Sequence, residues 1–436
     1  QALDTTIVNT AIPAMAHHLN EDPLRMHSVV VAYVLSVAAC IPLSGWLADR
    51  FGVRNTFLSA IIIFTLASLG CGLSQSLNQL LFFRVIQGVG GALLLPVGRL
   101  SLLKIIPRTQ FLAAMSLMSL AGLLGPLAGP TLGGWLVEVA TWHWIFLINI
   151  PMGVLGILMT LKVMPNVKEP TVKTFDLIGF VLLVVAMIGW SLGIEHLASP
   201  EYSKWFSISL LVVGVVATLW YAYHSHTHQN ALFRSRLFRN KIYAIGILGN
   251  FFARFGGNAL PFVLPLMLQV AFGFEPFIAG LMMIPLVLGS LFSKPIVRPI
   301  IQKMGYRRFL LVNTTLVGLC IASFAIMTVD TPTWFRALHF FLFGTLNSLQ
   351  FVGMNTLTLK DLPQQDASSG NSFLSMIMML SMSIGVALAG TLINIFTDYY
   401  GTAHVTTAFH VTLICLGCIN IITALIFWQI PKNTPV

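Results

Sequence analysis

Apolar stretches recur along nearly the whole chain, separated by short polar connections. Most run about 18–25 residues, the length of a helix that crosses a ~30 Å hydrocarbon layer. Strand-like alternation of apolar and polar positions is absent, which argues against a β-barrel. The pattern predicts 14 spans, at residues 1–19, 28–48, 56–74, 79–103, 110–137, 143–164, 176–195, 205–223, 243–270, 277–300, 308–329, 334–358, 370–396 and 406–428. The first stretch is short for a full span, so the numbered chain is expected to start inside its first helix. The longest connection runs from His224 to Lys241 and opens with alternating His224, His226 and His228. Three such histidines can hold a metal, but the stretch reads better as a solvated linker, so no metal site is expected.

Composition fixes the class. Hydrophobic residues make up 56% of the chain and charged residues 9%, against about 25% charged in a soluble domain. Mean hydropathy is +0.85. The protein is therefore expected to be an all-α integral membrane protein in contact with the lipid bilayer. A net charge of +10 raises nucleic acid as a partner, but the distribution of the basic residues explains it without one. Eighteen Lys and Arg fall on the side that carries the connection after span 2, and three on the other. That asymmetry places the first side, with both termini, in the cytoplasm. The remaining three, Arg84, Arg99 and Arg254, lie within spans. All five cysteines sit in apolar stretches. Even the C-x-x-C of Cys415 and Cys418 reads as packed thiols rather than a redox or metal pair.

The chain also repeats itself. Gly45-Trp-Leu-Ala-Asp-Arg-Phe-Gly52-Val-Arg54 follows span 2, and Arg298-Pro-Ile-Ile-Gln-Lys-Met-Gly305-Tyr-Arg307 follows span 10, at an offset of 253 residues. At the same offset Asp22-Pro23 matches Glu275-Pro276. Two anchors at one offset indicate a duplicated bundle, as in many transporters. The division expected is a six-helix bundle over 1–164, two inserted helices over 165–230 and a second six-helix bundle over 231–436.

Few residues in the spans can carry chemistry. Asp4, in Leu3-Asp4-Thr5-Thr6-Ile7-Val8-Asn9, is an acid within an apolar stretch. Such a group costs several kcal/mol unless paired or wet, and marks a functional site unless it merely caps a helix end. Glu138, Glu195 and Glu275, and Asp176, Asp361 and Asp366, fall at or near span ends, so Asp4 is expected to be the one deep carboxylate. Arg84 lies ~9 Å inside span 4 at 1.5 Å per residue. It either snorkels outward or faces a cavity, and is a second possible partner of Asp4. Arg254 lies ~20 Å along span 9 by the same measure. The repeat pairs Asp4 with Gly257, one turn from Arg254, which makes Arg254 a candidate counterpart of Asp4 across a cavity walled by Asn250 and Asn258. A structural arginine bonded to backbone carbonyls is the other reading. In span 5, Gly125, Gly129 and Gly133 form a smooth stripe against which a helix can pack closely, and Pro126 and Pro130 kink it. No nucleophile–base pair, metal cluster or phosphate loop points to an enzyme or to a cofactor.

Five stretches, in order, resemble signatures of the major facilitator superfamily. Gly45 to Arg54 is similar to its cytoplasmic loop motif, and Arg84-Val-Ile-Gln87-Gly88 to its span 4 motif. Gly125-Pro126-Leu-Ala-Gly129-Pro130-Thr-Leu-Gly133-Gly134 resembles the antiporter motif of drug exporters. The Asp4 stretch and Trp142-His-Trp-Ile-Phe-Leu-Ile-Asn-Ile-Pro151 resemble the 14-span drug–proton antiporters. The resemblance implies two pseudo-symmetric bundles plus two helices, and alternating access driven by a proton gradient. It implies a latch at Gly45, Asp49, Arg50, Gly52 and Arg54, a seal at the span 5 motif, and a substrate cavity reached by Arg84, Gln87, Arg254, Asn250 and Asn258. The second loop departs from the pattern: Gln302 and Lys303 replace Asp49 and Arg50, so the charged latch is one-sided.

The expected function is proton-coupled efflux of small amphipathic molecules across a bacterial inner membrane by a monomer, with Asp4 as the proton carrier. Burial favours a neutral carboxyl and a nearby arginine a charged one, so proton and substrate can exclude one another. Two arginines against one acid also fit a small anion or an anionic chelate such as iron-citrate.

Overall fold

The computed structural model describes residues 3–105, 125–168, 174–198, 203–228 and 230–431. The first part of span 5, with Arg108, and also Lys173 and Lys432, lie outside the described residues. The rest is helical, with no strand among the described residues. In chain order the helices are α1 (Asp4–Leu19), α2 (His27–Cys40), α3 (Leu43–Phe51), α4 (Val53–Gly72), α5 (Leu77–Ile105), α6 (125–139), α7 (Trp144–Leu147) and α8 (Asn149–Val163). They continue with α9 (Leu177–Glu195), α10 (Lys204–Thr227), α11 (Lys241–Phe252), α12 (Arg254–Leu266), α13 (Pro276–Leu281), α14 (Ile284–Ser323), α15 (Thr333–Lys360), α16 (Gln364–Tyr400) and α17 (Val405–Phe427).

Among the described residues, 11 helical stretches are long and apolar enough to cross a bilayer. Three places account for the difference from the 14 expected. Span 1 is α1, only 16 residues long. Span 5 is described over 125–139 alone. Spans 10 and 11 run together as 51 residues from Pro276 to Ile326. At 1.5 Å per residue a straight helix of that length would be about 75 Å long, more than twice the hydrocarbon thickness. It is broken at Gly305, whose φ of 76° and ψ of 154° are not helical.

The repeat is visible in the backbone. Gly52 has φ 92° and ψ 151°, nearly the angles of Gly305, its match at offset 253. A positive φ with this ψ is open to glycine and strained for other residues. Asp22 and Glu275 are both extended residues that precede a proline opening a helical turn. The same bond geometry thus recurs at both anchors.

Packing between α9 and α10 is glycine-to-glycine. A Cβ on Gly189 would lie 2.7 Å from the Cα of Gly214. The Trp190 indole donates to Thr218 at 3.2 Å, and Ser191 shares a 2.9 Å hydrogen bond with Ser383 of α16. Asp176 caps α9 through the Gly179 amide at 2.9 Å and accepts from His224 Nε2, also at 2.9 Å. That bond holds the end of α10 in place. The helix therefore runs to Thr227, so His224 and His226 are helical rather than part of the linker.

The two halves touch at the face that is poor in Lys and Arg. Gln269 Nε2 donates to the Thr10 carbonyl at 3.1 Å. Glu138 accepts the Phe277 amide at 2.8 Å. Pro130 and Gly134 of α6 lie against Pro276, Phe277 and Gly280 of α13. A Cβ on Gly134 or on Gly280 would sit 2.3 Å from a carbonyl oxygen across the crossing.

Candidate functional site

Asp4 is completely buried, and its charge is met at once. Arg84 Nη1 lies 2.8 Å from Asp4 Oδ2, with the arginine 1% exposed. Gln87 Nε2 donates to Asp4 Oδ1 at 2.9 Å, and Asn149 Nδ2 donates to the same oxygen at 3.1 Å. Arg84 and Gln87 are three residues apart on α5, hence on one helix face. Arg84 Nη1 also donates to Gln87 Oε1 at 2.7 Å. Arg84 Nε donates to the Val29 carbonyl at 3.1 Å, and its guanidinium lies 4.2 Å from the centre of the Tyr33 ring. Ser68 accepts from Gln87 Nε2 at 2.8 Å and donates its hydroxyl hydrogen bond to the Phe64 carbonyl at 2.8 Å. The network ties together α1, α2, α4, α5 and α8.

This arrangement decides between the two possible partners of Asp4. Arg84 neither snorkels nor stands open to a cavity; it is the ion-pair partner of Asp4. Arg254 is not that partner. Its Nε and Nη2 donate to Asn250 Oδ1 at 3.0 and 2.9 Å, and Nη2 also reaches Asn355 Oδ1 at 3.1 Å. The Phe351 ring lies 4.3 Å from its guanidinium. Asn250 is held by Thr358 at 3.1 Å and the Gly246 carbonyl at 2.9 Å. Arg254 is 5% exposed, and among the described residues no carboxylate pairs with it. Each arginine is therefore satisfied inside its own half. Asn258, half-buried on α12, joins neither network. Sequence reasoning missed Ser68, Asn149 and Asn355. Asn149 was within reach, since it lies in the Trp142–Pro151 stretch.

The span 5 stripe packs a helix closely, as expected, but that helix is α1 of the same half. Gly129 and Gly133 face α1: a Cβ there would meet Thr6 Oγ1 at 2.0 Å and the Ile7 carbonyl at 2.5 Å. Thr6 donates to the Gly125 carbonyl at 3.2 Å. The contact between halves is instead made one residue further on, by Pro130 and Gly134. Pro126 is half-buried beside them. In the loop, Gly52 ends α3, and a Cβ there would strike Asn166 Oδ1 at 2.0 Å. Gly45 is exposed with open space around it, so no close approach demands it. Asp49 and Arg54 are half-buried, and the Arg50 guanidinium lies 5.1 Å from the Trp46 ring.

Further acids and histidines gather outside these networks. Asp176, His224 and His228 place ligand atoms within 4.8 Å of one another, so they could hold a metal. Both Asp176 oxygens already accept protein N–H groups, which explains the cluster as a brace between α9 and α10. Glu195 is 7% exposed, so Asp4 is not alone among buried acids. An apolar cavity of about 950 Å³ lies between α9, α10, α11 and α16. Met187, Trp190, Phe251, Phe255, Phe373 and Met376 line it, with Arg239 and His226 at one end.

The sequence profile of the Major Facilitator Superfamily matches residues 1–386. The chain is 50% identical over 439 residues to the "Putative multidrug resistance protein MdtD" of Enterobacter sp. (strain 638), covering 100% of this chain and 93% of that protein. It is 51% identical over 443 residues to the protein of the same name from Escherichia coli O6:H1, with the same coverage. Among solved structures it superposes on a D-xylose-proton symporter with a TM-score of 0.70 at 15% identity, over 99% of this chain and 95% of the other. It superposes on a POT family transporter in complex with 5-aminolevulinic acid with a TM-score of 0.68 at 15% identity, over 98% and 93%.

Proposed function

The chain belongs to the major facilitator superfamily, and from that premise we propose that it exports small amphipathic molecules in exchange for protons, with Asp4 as the proton carrier. The observation that carries this reading is the buried Asp4–Arg84 pair at 2.8 Å, held by Gln87 and Asn149. The Lys- and Arg-poor face is read as periplasmic and the membrane as the bacterial inner membrane.

The pair as it stands is the deprotonated state. A proton on Asp4 removes the charge that faces Arg84 and leaves a buried cation to find new partners. Because the network joins five helices of one half, that change is felt by the whole bundle. Loss of the pair biases the bundle toward another arrangement, and the bias equals the difference in proton affinity between the two states. The loop residues Asp49, Arg50, Gly52 and Arg54 latch one of those arrangements, and the α6–α13 crossing at Pro130 and Gly134 seals it. The working unit is a single chain in the bilayer.

The substrate class follows from charge and shape. A small anion needs uncompensated positive charge, and Arg84 does not provide it while Asp4 is charged. Arg254 alone supports iron-citrate or a similar anion. The cavity of about 950 Å³, walled by Phe, Trp and Met, favours lipophilic molecules that enter from the bilayer. The names of the relatives point the same way.

The test uses purified protein in liposomes with an imposed pH gradient. Wild type should move an ethidium-type cation uphill at the expense of the gradient and leave citrate-type anions in place. Gradient-driven transport of citrate but not of the cation would replace this reading with the anionic one.

A further inference from the structure

At the Lys- and Arg-poor face three parts of the chain meet that the repeat keeps apart: α2 of the first half, α9 of the inserted pair and α16 of the second half. His27 is the first residue of α2, and Glu195 is the last of α9. Their exposures are 4% and 7%. His27 Nε2 and Glu195 Oε1 stand 3.8 Å apart, beyond hydrogen-bond reach.

The tautomer follows from the other ring nitrogen. His27 Nδ1 lies 3.2 Å from the Leu24 carbonyl oxygen. A carbonyl only accepts, so Nδ1 carries the hydrogen and donates it. In a neutral ring Nε2 is then a bare acceptor, and it has no hydrogen-bond partner among the described residues. It faces a carboxylate oxygen, also an acceptor. Neither side can swing away freely. A Cβ on Gly390 of α16 would lie 2.5 Å from the His27 ring, so the helix backbone abuts the imidazole. Thr391 Oγ1 donates to the Ile194 carbonyl at 3.2 Å and ties α16 to the last turn of α9.

We propose that His27 Nε2 and Glu195 Oε1 form a second proton-binding site, which takes one proton into the gap between them. The added hydrogen is covalently held on one atom and donated to the other. It turns two facing acceptors into a donor and an acceptor. The contact tightens toward the usual ~2.8 Å of a charge-assisted bond. A polar cavity of about 390 Å³ adjoins both residues and gives the proton a route. The other titratable and charged groups around it are Glu21, Asp22 and Arg25 from the α1–α2 connection, His196 after α9, and Asp398 of α16.

Closing the gap binds α2 to α9 and, through Thr391, to α16. Separation of the halves at this face would part the two residues. The site therefore holds its proton best when the seam is closed, and protonation favours that closed arrangement. This gives the inserted helices a role in coupling. The role in transport rests on the proton-coupled reading above; proton binding itself does not.

The experiment measures proton uptake by purified, substrate-free protein after a shift from pH 8 to pH 5, followed with a pH-sensitive dye. Glu195→Gln should take up one proton fewer than wild type, and the double variant with His27→Gln should match Glu195→Gln. His27→Gln alone should displace the uptake curve along the pH axis. Uptake by Glu195→Gln equal to wild type would overturn the site. If that variant does not fold, a His27→Gln curve that superposes on wild type overturns it equally. In liposomes, Glu195→Gln should move the pH profile of transport by about tenfold in proton concentration, whereas a merely structural role would lower the rate at every pH. Asp4→Asn should retain the Glu195-dependent proton. Transport surviving in Asp4→Asn would sink the Asp4 assignment and leave this site standing.

Discussion

Replacing Asp4 with Asn removes one charge from a fully buried pair and keeps the volume. The amide nitrogen of the new side chain then competes with Gln87 and Asn149 as a third donor, while Arg84 loses its only carboxylate among the described residues. Breaking a buried pair from one side costs about 3–5 kcal/mol, because the remaining charge is left uncompensated. Arg84 keeps the Val29 carbonyl, Gln87 Oε1 and the Tyr33 face, contacts it already makes beside a charged Asp4, so they do not offset the loss. The net expectation is a loss of about 3–5 kcal/mol. Arg84→Gln should cost a similar amount by stranding Asp4. The double variant Asp4→Asn/Arg84→Gln buries no charge at this site, so its stability should recover most of either loss, with a coupling energy of at least about 3 kcal/mol, at the top of the usual range. The measurement is unfolding of all four proteins in one detergent, beside pH-gradient-driven transport in liposomes. Stability should return in the double variant and transport should not. Additive stability losses, within about 0.5 kcal/mol, would show that the two residues do not act as a pair. Gradient-driven transport in the double variant would remove Asp4 from the proton pathway.

Three further outcomes are expected. Gly134→Val places side-chain atoms where a Cβ alone is 2.3 Å from the Pro276 carbonyl oxygen; overpacking of about 1–3 kcal/mol should lower transport, and wild-type transport rates would remove the crossing from the mechanism. Gly52→Ala puts a side chain at φ 92° and 2.0 Å from Asn166 Oδ1, at a cost of about 1–3 kcal/mol. Gly45→Ala has open space and should stay within about 0.5 kcal/mol of wild type; equal losses by thermal denaturation would contradict this contrast within one loop. Met187→Trp partly fills the cavity between α9, α10, α11 and α16, so bulky lipophilic substrates should lose transport more than small ones, and an unchanged substrate range would place binding elsewhere.

The fold was legible because lipid imposes one simple rule on every span: about 20 apolar residues with all backbone groups bonded internally. The repeat was legible because a glycine with positive φ cannot be exchanged freely, so Gly52 and Gly305 mark matching turns. Partner choice was not legible. Depth along a span can be counted, and depth together with the repeat left Arg84 and Arg254 both as possible partners of Asp4. Azimuth cannot be counted without knowing which helices are neighbours. The structure sends Arg84 to Asp4 and Arg254 to Asn250 and Asn355. Span ends misled for a related reason. Glu195 was set aside because it closes a span, yet α2 and α16 cover that end and bury it.

That difference between two repeated halves gives the proposed exchange a direct electrostatic basis. With Asp4 charged, its pair with Arg84 is neutral, and the matching region of the second half carries Arg254 held only by amide oxygens and an aromatic face. The two centres together then carry one positive charge. A proton on Asp4 leaves both arginines uncompensated and raises the total to two. At a separation of ~10 Å and an effective dielectric of ~20, each unit of charge acts on a cation with about 1.7 kcal/mol. That is more than a tenfold change in occupancy, since about 1.4 kcal/mol is a factor of ten. A cationic amphiphile would be released when the proton arrives without any direct contact with Asp4. An anion would be held more tightly at the same step and would travel with the proton rather than against it. The direction of coupling, measured for a cation and an anion of similar size, therefore tests the charge arrangement itself. Symport of the cation with protons would be incompatible with it.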